Sequence, residues 1–251
     1  MADLSILIPS NNEEYLAKTV EDICAHIEGD TEILIGLDGG DIPKISAPNI
    51  KVIVPSKPMG QRALTNHLAK MSEAKYLMKV DAHCSFSQGF DNALVAEMDD
   101  TTILSPLLLV LEGRTWSING KKQMLQFEFG RDFVMKHKEG DGGETMCLQG
   151  SAWLIDRENY WKWNVCDETL GSWGGQAVEL GIAAWRNGGR CRTTRAAYYG
   201  HVFRLQNEEF PYDRGQSPGK FATEELKRRH ENQIQGLVEK FGRPLDWKNV
   251  V

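Results

Sequence analysis

Tyr76-Leu77-Met78-Lys79-Val80, followed at once by Asp81-Ala82-His83, is the stretch on which the fold reading turns. Its large apolar residues, in a run too short for an ordinary helix, read as a strand that delivers an aspartate at its carboxyl end. Upstream, Gly60 to Met71 spaces Leu64, Leu68 and Met71 as one inward helical stripe. Two further apolar runs precede it, Lys51 to Val54 and Glu32 to Leu37, the second closing on Asp38-Gly39-Gly40. The first run, Leu4 to Ile8, ends at Pro9-Ser10-Asn11-Asn12, where the asparagine pair is good capping chemistry for a helix from Glu13. That helix carries Leu16, Val20, Ile23 and Ile27 on one face. Strands alternating with helices of this length specify an α/β fold with a parallel sheet, and ligands then bind at the strands' carboxyl ends.

After about residue 100 the rhythm changes. The longest apolar run, Ile103 to Leu111, is interrupted by Ser105 and Pro106 and is far too short to span a bilayer. Lys121 to Phe133 alternates apolar and polar residues, which predicts an antiparallel addition, and His137 to Gly143 reads as an exposed loop. A strand at Ala152 to Ile155, a helix from Gln176 to Asn187, and a charged helix from Thr223 to Lys240 follow. The last has Leu226, Ile234 and Leu237 on one side.

Composition is that of a globular chain, 41% hydrophobic and 25% charged, with a formal net charge of −6. That balance argues against a protein whose affinity comes from a broad basic face, although basic residues gather between Arg186 and Arg204 and at Lys227, Arg228 and Arg229. Cys24, Cys84, Cys147, Cys166 and Cys191 form no Cys-x-x-Cys pair, which reads as reduced thiols. The first residues run into a strand without a basic segment or long apolar stretch. The expectation is a cytoplasmic protein with no membrane partner.

Asp81 and His83 stand at i and i+2, so an extended backbone turns both toward one point. A divalent cation bridging phosphates takes such a mixture of oxygen and nitrogen ligands, with positions left open. The plain alternative is a strand-ending turn with a capped aspartate. Gly200-His201-Val202-Phe203-Arg204 offers a third ligand and a further cation. Together with Val80-Asp81-Ala82-His83-Cys84, this pentapeptide resembles the catalytic domain of polypeptide N-acetylgalactosaminyltransferases. Trp173-Gly174-Gly175-Gln176 with Glu179 and Trp185 to Gly189, and Gly150 to Arg157, resemble two more segments of that family, in order, between about residues 4 and 206.

The resemblance implies the GT-A nucleotide-diphospho-sugar transferase fold, a Rossmann-like mixed sheet flanked by helices. It implies a UDP-sugar donor (UDP-HexNAc or UDP-hexose) and a manganese or magnesium ion held by Asp81, His83 and His201. Arg204 would neutralise the departing diphosphate, Asp38 would bind the nucleoside, Gly150 would let the backbone approach the donor, and Trp173 would wall the sugar. Pro9, Asn11 and Glu13 after the first strand, with Gly60, Ser151 and Gln176, complete the expected donor-binding set. One catalytic domain would cover 1–251: a nucleotide-binding half at 1–100, an acceptor and sugar half at 101–210, and a helical tail at 211–251. No counterpart of the family's lectin domain or membrane anchor is expected.

Gln176 stands where the family has a glutamate, which leaves the donor sugar open, and Arg62 is out of register with the family's basic residues after Gly60. Gly175-Gln176-Ala177 lacks the Glu-Asp pair of inverting relatives, which favours retention of configuration. Glu179 reads as a base or nucleophile, or equally as a packing residue. For the acceptor, the reading leans to a hydroxymethyl pyrimidine in DNA, because some virus-encoded transferases of such bases resemble this fold. Trp161-Lys162-Trp163-Asn164 mixes stacking rings with a cation, although a partly buried turn would explain it as well. A peptide Ser or Thr hydroxyl is the alternative. A nucleotidyltransferase would carry a glycine-rich basic signature where Pro9 to Glu13 stand, and a non-catalytic relative would not keep Asp81, His83, His201 and Arg204. Asp81→Ala is expected to abolish manganese-dependent turnover and leave the fold intact.

Overall fold

All five side chains of Tyr76–Val80 are buried, as a strand covered on both sheet faces requires. The computed structural model describes residues 2–42, 44, 47–130, 133, 135–203 and 216–242. Strands β1 (Leu4–Ser10), β2 (Thr31–Leu37), β3 (Ile50–Ile53) and β4 (Tyr76–Val80) lie parallel in the order β3-β2-β1-β4. Helices α1 (Leu16–His26) and α2 (Gln61–Met71) connect them. Along β1, Leu4, Ile6 and Ile8 join one apolar cluster and Leu7 joins another, so alternate residues feed the cores on opposite faces.

Beyond β4 come β5 (Cys84–Phe86), α3 (Phe90–Ala96), β6 (Thr102–Glu112), β7 (Ser117–Met124), β8 (Gln126–Phe129), β9 (Met135–Lys138) and β10 (Gly143–Thr145). The rest is β11 (Ala152–Asp156), α4 (Arg157–Trp163), a 3-10 turn at Glu168–Leu170, α5 (Gln176–Arg186), β12 (Arg190–His201) and α6 (Gln216–Phe241). β11 inserts antiparallel between β4 and β6, and β12 lies parallel to β6. The described strands thus form a mixed ten-stranded sheet, with β8 and β9 as a separate antiparallel pair. Pro106 sits within β6 where its partner β12 shifts register between Thr194 and Tyr198, a bulge of the kind that accommodates a residue without an N–H. No described helix is long and apolar enough to cross a membrane.

Four expectations need correction. α1 starts at Leu16, because Glu13 to Tyr15 form a turn closed by the Leu16 N–H on the Glu13 carbonyl. The cap position is Tyr15, with no side-chain cap bond, and Asn12 takes a left-handed conformation instead of capping. Met71 is exposed, since α2 ends there and the chain turns away at Ser72, whose hydroxyl meets that of Ser5. His137 and Lys138 belong to β9, whose main-chain pairing with β8 stands in for the apolar alternation that the segment lacks.

Candidate functional site

The carboxyl ends of β1, β2 and β4 meet at one edge of the sheet, and β11 and β12 bring their own residues to it. β4 ends at Val80, and the Asp81 N–H donates to the Ser151 carbonyl just before β11 (2.7 Å). β5 pairs with the end of β12, setting His201 opposite Cys84, while the Val202 N–H donates to the His83 carbonyl (3.1 Å). This pairing closes some 118 residues of chain onto a single point, from His83 to His201, and the two rings stand with centroids 4.8 Å apart.

Asp81, His83 and His201 are thereby clustered, one ligand atom from each lying within 4.8 Å of the others. Asp81 Oδ2 is 3.8 Å from His83 Nε2 and 3.6 Å from His201 Nε2, too far for hydrogen bonds but suited to an ion between them. His83 Nδ1 and both ring nitrogens of His201 are buried without a hydrogen-bond partner. Burial is the largest influence on His201 and pushes its imidazole down to about 4, against the pull of Asp81. The ring is therefore neutral at neutral pH, the form that ligates metals. A carboxylate oxygen facing two imidazole nitrogens, each beyond hydrogen-bonding distance, fits a divalent cation. Glu13 Oε2 lies 3.5 Å from His83 Nδ1, so Glu13 borders this cluster.

Two charged side chains hold the site: Lys79, unassigned from the sequence, and Arg62, set there out of register with the family's basic residues. Lys79, buried in β4, donates to Asp81 Oδ1 and to the Gly150 carbonyl (2.7 Å). Burial alone would raise the Asp81 carboxyl, but the Lys79 ammonium and the two imidazoles bring it well below the usual carboxylate range. The signal was present as an ionisable residue in an otherwise apolar strand, two positions before the aspartate. Arg62 is buried in α2. It donates from Nε to Glu179 Oε2 (3.0 Å), from one terminal nitrogen to the Gly171 carbonyl (3.1 Å), and from the other to the Gly174 carbonyl.

Glu179 is therefore a structural brace. Its Oε1 accepts the Asp167 N–H (2.7 Å) and its Oε2 is taken by Arg62. Burial raises its carboxyl, with the guanidinium pulling the other way. Of the two roles open to it from the sequence, packing is the one these contacts describe. Asp38 accepts the N–H groups of Met59 and Gly60 (2.5 and 2.7 Å), binding the β2 loop to the start of α2. Gly60 has φ +79°, and a Cβ there would come within 2.5 Å of Ser172 Cβ. Pro9 is buried in β1 opposite Gly36, and Asn11 Oδ1 packs against Gly39. Ser151 is buried with its hydroxyl against that of Tyr199 (2.9 Å). Gln176 is buried, and its side chain packs on Gly150, where a Cβ would lie 2.9 Å from Gln176 Oε1. Trp173 is half-buried against Gly219 of α6. Arg204 lies outside the described residues.

The tryptophan pair proposed as a stacking platform is split. Trp163 is buried, and Asn164 closes α4 in a left-handed conformation. Trp161 remains exposed, edge-on to Tyr160 and near the Lys70 ammonium. Residues two apart on a helix face different directions, which is why only one ring reaches solvent.

A mixed sheet with an Asp-His-His cluster at its carboxyl edge defines the class: this is the GT-A fold. The sequence profile of glycosyl transferase family 2 matches residues 5–163, and the chain belongs to that family. It is 25% identical over 155 residues to polypeptide N-acetylgalactosaminyltransferase 5 of Caenorhabditis elegans, covering 55% of this chain and 25% of that protein. It is also 25% identical over 151 residues to polypeptide N-acetylgalactosaminyltransferase 13 of Homo sapiens, covering 54% and 27%. The chain thus spans little more than a quarter of these relatives. The crystal structure of GalNAc-T7 with UDP, GalNAc and Mn2+ superimposes with a TM-score of 0.77 at 20% identity, covering 92% of this chain and 49% of that one. Staphylococcus aureus TarS 1-349 in complex with UDP-GlcNAc does so with a TM-score of 0.63 at 14% identity, covering 96% and 71%.

Proposed function

We propose that the chain transfers a sugar from a UDP-sugar to a hydroxyl group with the help of a divalent cation, manganese or magnesium. The observation that carries this is the Asp81-His83-His201 cluster, with its unpartnered buried ring nitrogens, at the carboxyl edge where a GT-A fold takes its nucleotide. These three side chains would hold the ion, which when bound supplies positive charge opposite the diphosphate leaving group. Pro9 near the end of β1, with Asn11 and Asp38 in the loops beyond β1 and β2, lies where the nucleoside would rest. Asp38 orders the Met59–Gly60 backbone through both oxygens and would reach the nucleoside through its remaining lone pairs. Trp173, Gln176 and Gly150 bound the sugar end, and Arg204 adds its charge to the departing UDP.

Retention of configuration, by attack from the face the diphosphate leaves, is the stereochemical reading. Glu179 is buried and holds Arg62 and the Asp167 N–H with its two oxygens, which argues against a covalent glycosyl intermediate on it. For the acceptor, a peptide Ser or Thr hydroxyl now ranks first. The relatives are named for polypeptide substrates, and burial of Trp163 removes half of the stacking platform that favoured hydroxymethylated DNA. The test is UDP release from UDP-GalNAc, UDP-GlcNAc and UDP-glucose with manganese, with serine and threonine peptides and hydroxymethylcytosine DNA as acceptors. Release that depends on manganese and rises with one acceptor supports the reading. Release unaffected by EDTA removes the cation from it, and no release from any UDP-sugar refutes it.

A further inference from the structure

The buried lysine of β4 has a consequence for how the site fills. Lys79 lies in β4 and Asp81 just beyond its end, two residues on, and their side chains meet. The Lys79 ammonium engages Oδ1 of Asp81 and leaves Oδ2 facing the two imidazoles, 3.8 and 3.6 Å away. The carboxylate is thereby held in one orientation and offers the ion one oxygen. Its charge, however, is already met by a cation that is itself buried, at 1% exposure, and tied to the Gly150 carbonyl. A divalent ion entering between Asp81, His83 and His201 finds two imidazoles, a carboxylate matched by an ammonium, and Glu13 beyond His83. In a poorly solvated site, a carboxylate whose charge an ammonium already neutralises attracts a further cation less strongly.

We propose that Lys79 is a positioning residue that makes cation binding conditional on the nucleotide diphosphate. Its fixed charge suppresses occupancy by the ion alone, and the diphosphate supplies the negative charge that restores it. This rests on the cation reading of the Asp81-His83-His201 cluster given above. Because binding linkage is reciprocal, UDP must gain from Mn2+ by the same factor as Mn2+ gains from UDP.

Free Mn2+ is counted from its solution EPR signal during titration of the whole chain, with and without UDP, and UDP affinity is measured with and without Mn2+. Wild type is expected to bind Mn2+ on the order of tenfold or more tightly when UDP is present. Lys79→Met keeps the apolar stem and Lys79→Gln keeps a donor without the charge; melting curves establish that each is folded. Both are expected to bind Mn2+ alone on the order of tenfold more tightly than wild type, with a correspondingly smaller gain from UDP. Lys79→Arg, which keeps the charge, is expected to keep the wild-type gain. A wild type that binds Mn2+ equally with and without UDP overturns the proposal. So do neutral variants that keep the full gain, or that lose Mn2+ affinity equally in both conditions, and Lys79 is then a structural tie. If wild type binds no Mn2+ under either condition, the cation reading itself fails and takes this inference with it.

Discussion

Arg62 donates from Nε to Oε2 of Glu179 at 3.0 Å, in the interior, joining the second helix to the fifth. The same guanidinium holds the Gly171 and Gly174 carbonyls, so the loop that carries Trp173 is fixed from beneath. Removing one partner leaves a buried charge without compensation, which costs about 3–5 kcal/mol. Arg62→Ala and Glu179→Ala are each expected to lose that much in urea unfolding. Glu179→Gln keeps the side chain's shape and an acceptor for the Asp167 N–H, and is expected to lose less. Its turnover per folded molecule should stay within a few-fold of wild type. A thousandfold fall in kcat for folded Glu179→Gln would instead make this carboxylate chemical.

Asp81 has two duties, and the structure alters the expectation for its removal. Asp81→Ala takes away the proposed oxygen ligand and also strands the buried Lys79 ammonium. The fold is therefore not expected to remain intact: a loss of about 3–5 kcal/mol should accompany the loss of Mn2+ binding. Lys79→Met in the same chain removes the stranded charge, so the double variant should recover most of the stability and none of the Mn2+ binding. Calorimetric melting with a Mn2+ titration separates the two effects. Stability equal to wild type in Asp81→Ala would show that the lysine does not depend on its partner.

How much of this could be read in advance follows from which contacts are local. β1, β2 and β4 announce themselves because strands buried on both faces are largely apolar runs, and Leu226, Ile234 and Leu237 mark the inner side of the last helix correctly. β12 does not, because Arg190, Arg192 and Arg195 interrupt its apolar residues and its partner β6 lies far back in the chain. His201 was recognisable only through the pentapeptide around it, since no spacing rule ties it to His83. Arg62 was opaque for a related reason, and Lys79 only in part, since one of its partners, Asp81, stands two residues on. A buried charge is tolerable only through its partners, and two of theirs, Gly150 and Glu179, are supplied by the fold from distant segments.

Gly174 shows how close the last helix lies to the Trp173 loop. Its φ is +97°, and a Cβ there would stand 2.5 Å from Gly219 Cα. Gly174→Ala thus combines an unfavourable backbone conformation with a backbone clash, and the sixth helix must shift. A cost of about 1–3 kcal/mol is expected. Amide exchange should quicken across residues 219–240 while the strands from Leu4 to Val80 stay protected. Uniform protection like that of wild type would mean the loop absorbs the methyl group without moving the helix.

Asp99 stands at the turn into β6. Its Oδ1 accepts the Thr101 N–H (2.9 Å) and the Thr101 and Thr102 hydroxyls (2.7 Å each), and its Oδ2 meets Arg190 at the start of β12. Burial pushes this carboxyl up, but the threonine hydrogen bonds and Arg190 outweigh it and bring it down to about 2. A carboxyl that is more acidic when folded adds stability above its unfolded value of about 4. That contribution drains away as pH falls from there toward about 2. At pH 7, Asp99→Ala is expected to melt about 2–4 °C below wild type. The gap should narrow steadily below pH 4, because the native carboxylate is then being titrated. A gap that stays constant from pH 7 down to pH 3 would mean that Asp99 acts through shape alone, with no contribution from its charge.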